Sequence, residues 1–121
     1  MKFYSEEEMG GLRVQLEGGV LGWTGVRRRT MFGCPAYSAG DALFAILVTR
    51  GIVLTRLGVG EREELVRSAG ATPFQAGSRL VRHWIRIPLT APGDLEGILP
   101  LLRRSYEAAR DSPDPPASAG G

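Results

Sequence analysis

The sequence predicts a two-layer α+β domain, an antiparallel sheet with helices packed on one face. Three observations carry this reading. Apolar residues recur at helical spacing near both ends of the chain, at Met9, Leu12 and Leu16 and again from Leu95 to Tyr106. The middle is rich in β-forming residues, in runs over 28–37, 42–49, 52–56 and 79–87. Those of the middle are joined by short turn sequences, as in an antiparallel meander, and such a sheet buries one face under helices.

The elements follow in order. Ser5 with Glu8 is a capping-box pattern, the hydroxyl taking an early N–H and the carboxylate reaching back. The helix it opens is weakened by Gly10 and Gly11 and is expected to stop at Gly18-Gly19. Arg28 to Tyr37 reads as one extended stretch in which Pro35 marks an edge or a bulge, because proline cannot donate to a ladder. Ser38-Ala39-Gly40-Asp41 has turn composition. Ala42 to Thr49 is continuously apolar, as in a central strand, and Arg50-Gly51 turns the chain back into 52–56. A second helix is expected from Glu61, Glu63 and Glu64, which suit the positive end of the dipole, with Leu65 and Val66 as its apolar face and Gly70 as its stop. Pro73-Phe74 leads towards a turn at Gly77-Ser78.

Arg79 to Ile87 is the clearest strand. Alternation places Val81, His83, Ile85 and Ile87 on the core side and Leu80, Arg82, Trp84 and Arg86 on the other. The last helix covers 94–110, with a stripe at Leu95, Ile98, Leu99, Leu102 and Tyr106. Pro100 either kinks it or starts its main part. Residues 1–110 are thus one domain. Residues 111–121, all polar, small or proline, are expected to be a disordered tail. The face of the sheet away from the helices is expected to open to water or to a partner.

Bulk properties narrow the function classes. The chain has 121 residues, 43% apolar and 23% charged, with a net charge of +2, as for an ordinary globular domain. That charge is milder than a nucleic-acid binder usually carries. Cys34 is the single cysteine, so no intramolecular disulfide forms. With His83 the single histidine, a structural zinc site is not expected, nor is any other cofactor. The start of the chain has no apolar signal core, and Ala42 to Val48 is far short of the roughly 20 residues a membrane helix needs. A cytoplasmic protein without membrane contact is expected.

The series Met31-Phe32-Gly33, Tyr37, Gly40, Leu43-Phe44-Ala45, Gly70-Ala71, Pro73-Phe74 and Trp84 with Pro88 resembles the N-terminal domain family of the TfoX/Sxy competence regulators. The resemblance covers roughly residues 12–109. It implies a two-layer fold similar to the type III secretion chaperones, a regulatory role in DNA uptake, and no catalytic residues to carry over. The motif more often reads Met-Phe-Gly-Gly, where this chain has Cys34 and then Pro35. Full-length regulators also resemble two-domain proteins, and this chain matches the first domain.

Candidate site residues are few. Cys34 and His83 would have to meet, with a lowered thiol pKa, to form a nucleophile and its base; a lone cysteine beside a strand more often packs as a small hydrophobe. No enzyme is expected. Arg82, Trp84 and Arg86 share one strand face, where guanidinium groups can bond carboxylate or phosphate and an indole offers a platform. They would suit a protein interface, or the arginine stems could simply cover the indole. Arg27, Arg28 and Arg29 form a short basic run, with Arg27 and Arg29 on one side of a strand and Arg28 on the other; such charge commonly protects a sheet edge. Gly58-Val59-Gly60 lacks the pattern of a phosphate loop. The expected function is a non-enzymatic regulatory module that contacts a protein partner or a second copy of itself as a homodimer. The alternative is a nucleic-acid-associated regulator using Arg27–Arg29, Arg82, Trp84 and Arg86.

Overall fold

The computed structural model describes residues 3–76, 78–91 and 93–111, and the side chains of Ala76 and Arg82 lie outside that description. In chain order the elements are α1 (Glu6–Val20), β1 (Val26–Met31), β2 (Cys34–Ala39), β3 (Ala42–Val48), β4 (Gly51–Leu54), α2 (Val59–Ser68), β5 (Thr72–Ala76), β6 (Arg79–Pro88) and α3 (Asp94–Asp111). The strands make one antiparallel sheet in the order β1-β2-β3-β4-β6-β5. The α+β class read from the sequence is the one that forms. The expected tail and the Gly77 turn position fall outside the described residues, except that Asp111 still belongs to α3.

All three helices pack on one face of the sheet. Their buried residues, among them Met9, Leu16, Leu65, Ile98, Leu102 and Tyr106, share a core with Tyr37, Phe44, Leu47, Ile52 and Ile87 of the strands. The Ser5 hydroxyl accepts from the Glu8 N–H at 3.3 Å. The Glu8 carboxylate does not reach back as expected; it accepts from Arg50 at 2.9 Å, in the turn between β3 and β4. In α2 only Leu65 is buried, and Val66, expected beside it, is 49% exposed. Leu99, expected in the buried stripe of α3, is exposed. The helix runs unbroken through Pro100, so Pro100 does not begin it.

The stretch expected as one strand over 28–37 is a hairpin. Phe32 and Gly33 both take left-handed backbone conformations, φ 56° and 74°, and Met31 stands opposite Cys34. A two-residue turn of this hand matches the twist of the strands it joins. The pair closing such a turn exchanges hydrogen bonds, so the next pair, Thr30 with Pro35, does not. The β2–β3 ladder begins only at Ala36. Pro35 therefore sits where no neighbouring strand requires an N–H.

Two irregularities decide which side chains face where. Tyr37 pairs with Ala45 while Ser38 pairs with Leu43, so Phe44 is an extra residue on β3. Its carbonyl accepts from the Thr55 N–H at 3.2 Å and from the buried Ser105 hydroxyl at 2.8 Å. The second irregularity lies in β6. Pro73 pairs with Ile85 but Phe74 pairs with Val81, which leaves Arg82, His83 and Trp84 looped out of the β5 ladder. The alternation expected along β6 breaks there. Ile85 and Ile87 face the helices, whereas Val81 packs with Trp84 on the opposite side. Pro73-Phe74, expected as a lead-in to a turn, is part of β5, an edge strand where a proline is tolerated.

The face away from the helices is not open. Cys34, Ala36, Leu43, Ile46, Val48, Val53 and Phe74 form a second buried cluster there. The sheet curls, bringing Phe32 of the β1–β2 turn within 6.1 Å of Phe74 on the opposite edge strand, with Phe3 about 6 Å from both rings. Every residue of β2, β3 and β4 is accordingly buried. Burial on both sides explains why these runs are apolar at successive positions rather than at alternate ones.

Candidate functional site: a cleft between the two limbs of the curled sheet

Curling leaves a cleft of about 390 Å³ on the concave side. Arg29 and Met31 reach it from β1, and His83 and Trp84 from the looped segment of β6; Leu43, Thr55 and Arg56 form its floor, with Asp41 at the rim. Trp84 is half-buried, its ring 6.1 Å from Phe74. His83, expected to be partly buried, is exposed and stands edge-on to Trp84 at 6.5 Å.

The three arginines of β1 divide as their alternation predicts. Arg28 lies on the helix side, 3.3 Å from Glu17. The same carboxylate accepts from the Tyr37 hydroxyl at 2.8 Å, and burial together with that carboxylate pushes the Tyr37 hydroxyl far above its ordinary pKa. Arg27 lies on the other side and pairs with Asp41 at 2.8 Å. Both side chains are well exposed, so this pair adds little to stability. Arg29 makes one polar contact among the described residues, 3.4 Å to the Asp41 carbonyl.

Trp84 and Arg86 share the concave face of β6 as expected, Trp84 packing on the concave cluster and Arg86 standing opposite Val53 of that cluster, but Arg86 does not line the cleft. Arg86 donates to the Thr49 carbonyl at 2.9 Å, and its guanidinium lies so close over Gly51 that a Cβ there would come within 3.0 Å of it. It is a strut between β6 and the β3–β4 turn, and it does not cover the indole. The Arg82 side chain lies outside the described residues. Of the predicted set, Arg29 and Trp84 are brought together. Met31, Arg56 and His83 join them, which sequence reasoning missed: the looped segment of β6 exists only because of how β5 pairs, and nothing local marks it.

Cys34 and His83 do not form a nucleophile and base. Cys34 is fully buried, its thiol directed to the Phe32 carbonyl at 3.6 Å, and burial pushes its pKa up to about 11. A reactive thiol needs the opposite shift. A larger groove, about 770 Å³, runs between α2 and β6 past exposed Val59, Val66 and Leu80, and it gathers none of the predicted residues. No helix among the described residues is long and apolar enough to cross a membrane.

The model of the TfoX N-terminal domain matches residues 20–109. The chain belongs to the TfoX N-terminal domain family. Searches among curated proteins and among solved structures gave no match. The family match includes the whole sheet, α2 and nearly all of α3, and hence the cleft. Most residues that carry the resemblance shape this TfoX domain rather than line its cleft. Phe32 and Gly33 make the hairpin turn, and Gly40 and Gly70 hold left-handed conformations, φ 61° and 68°, after β2 and α2. Phe44 supplies the bulge and Phe74 closes the concave core. Met31, Leu43 and Trp84 are the members that reach the cleft.

Proposed function

We propose that this TfoX domain is a non-enzymatic regulatory module, working in the cytoplasm, that binds a protein partner through the cleft between β1 and β6. The observation that carries the reading is the meeting of Trp84, Met31 and Arg29 in one concave site. Aromatic, thioether and guanidinium groups are the side chains enriched at the centres of protein interfaces. Strands β2, β3 and β4 are consumed by the two cores.

A nucleic-acid partner is the second reading, because an indole beside arginines can stack a base and hold a phosphate. The net charge of +2 weighs against it, being milder than a nucleic-acid binder usually carries. The test places a photo-reactive residue at position 29 of the full chain in its native cells, with a matching one at exposed position 66 as control. A defined protein adduct at 29, absent at 66 and lost with Trp84→Ala, is expected. The purified chain should leave mixed-sequence oligonucleotides unshifted at low salt. No adduct above the control, or salt-dependent oligonucleotide binding, overturns the proposal.

A further inference from the structure

We infer that the partner binds as an acidic extended segment that adds a strand to the outer edge of β1; this rests on the protein-binding reading above. β1 has six residues and one neighbour, β2. Met31 with Cys34 closes the turn, so Arg29 with Ala36 and Arg27 with Ser38 are the other pairs that exchange hydrogen bonds with β2. Arg28 and Thr30 then direct both N–H and C=O outward. Val26 offers its carbonyl only, since its N–H already donates to Trp23 at 3.2 Å. This row of five backbone groups belongs to residues that are exposed from Arg27 to Thr30. The opposite edge, β5, is shorter and contains Pro73, which has no N–H to give.

Charge selects the occupant. Arg28 flanks the edge on the helix side beside Glu17, and Arg27, paired with Asp41, and Arg29, which has no carboxylate partner among the described residues, flank it on the cleft side; three guanidinium groups against two carboxylates leave the edge net positive, most of all at Arg29. Carboxylates opposite these positions are favoured, and like charges are disfavoured. A second copy of β1 would set arginines against arginines, so the edge rejects its own kind while accepting an acidic strand. Main-chain pairing would supply the affinity, and a side chain pointing into the cleft, towards Trp84 and Met31, the specificity. Nucleic acid has no use for such a backbone row.

The experiment titrates the isotope-labelled chain with a peptide carrying Glu-Glu pairs on either side of one central Phe, which puts carboxylates on both faces of an added strand, and with the same peptide bearing Lys in place of Glu. The acidic peptide should bind saturably, more weakly as salt rises, and slow amide exchange at Arg28 and Thr30 by about tenfold or more. Arg29→Glu, at a side chain outside both cores, should weaken binding about tenfold or more. The Lys peptide should not bind. Absence of binding, equal binding of both peptides, or binding that leaves the Arg28 and Thr30 amides unprotected overturns strand addition. A protein adduct at position 29 would survive any of these results, so failure here is distinguishable from failure of the protein-binding reading.

Discussion

Ser105 has no exposed surface, yet it lies on the buried stripe of α3 between apolar neighbours. Its hydroxyl donates to the Phe44 carbonyl at 2.8 Å and accepts from the Arg56 N–H at 3.2 Å. Phe44 is the extra residue of the β3 bulge, so this one side chain ties a sheet irregularity to a helix and to the chain leaving β4. The Thr55 hydroxyl does parallel work, donating to the Leu43 carbonyl at 2.9 Å. Ser105→Ala removes both hydrogen bonds of the link, to the Phe44 carbonyl and from the Arg56 N–H. A loss of about 1–3 kcal/mol is expected, read as a lower urea midpoint. A loss below about 0.5 kcal/mol, the range of ordinary surface changes, would show that the network does not hold the bulge.

At the scale of elements, the start of α1 is sensitive to pH. Arg13 donates to both oxygens of Glu6 at 2.9 Å, and the Tyr4 hydroxyl donates to it as well. Arg13 first and Tyr4 second hold the Glu6 carboxyl down at about 2. The Tyr4 hydroxyl is pushed up to about 12, by burial first and by Glu6 next. A carboxyl with a lowered folded-state pKa stabilises fully above its unfolded pKa, and that contribution fades as pH falls through the folded value. The loss for Glu6 therefore runs from about pH 4.5 down to about pH 2. Glu6→Gln should lower the urea midpoint at neutral pH and flatten its fall across this window. An unchanged fall would assign the acid sensitivity to other carboxyls, such as Asp94, whose pKa is lowered by the Thr90 and Ala91 N–H groups and the Thr90 hydroxyl.

For the whole molecule, the curled sheet makes two cores from one. Leu102 is fully buried in the helix-side core and Ile46 in the concave one. If both are close-packed interiors, Leu102→Ala and Ile46→Ala should each cost about 2–5 kcal/mol, in one cooperative urea transition. A cost at Ile46 below about 1 kcal/mol, or a separate early transition, would mean that the concave side is a loosely covered surface. The same curvature produces the cleft, because it brings the looped segment of β6 opposite Arg29 and Met31.

The sequence by itself determined the α+β class, the three helices, most strand positions and the membership of the TfoX N-terminal domain family. These follow from local periodicity, from turn residues such as Gly40 and Gly70, and from motif order, all of which are written in neighbouring residues. The division of Arg28 from Arg27 and Arg29 was legible for the same reason, since alternation is a local rule. The hairpin at Phe32-Gly33 was not, because a bulky residue at the first left-handed position hides the usual turn signature. Tertiary structure alone decided the closing of the second sheet face, the turning of Val81 to the concave side and the tie of Arg86 to the Thr49 carbonyl. Each depends on pairing between distant strands, where a shift in register turns every following side chain to the other face. The cleft is a product of that pairing, and so Arg29 and Trp84, 55 positions apart by their numbering, come together only in the folded chain.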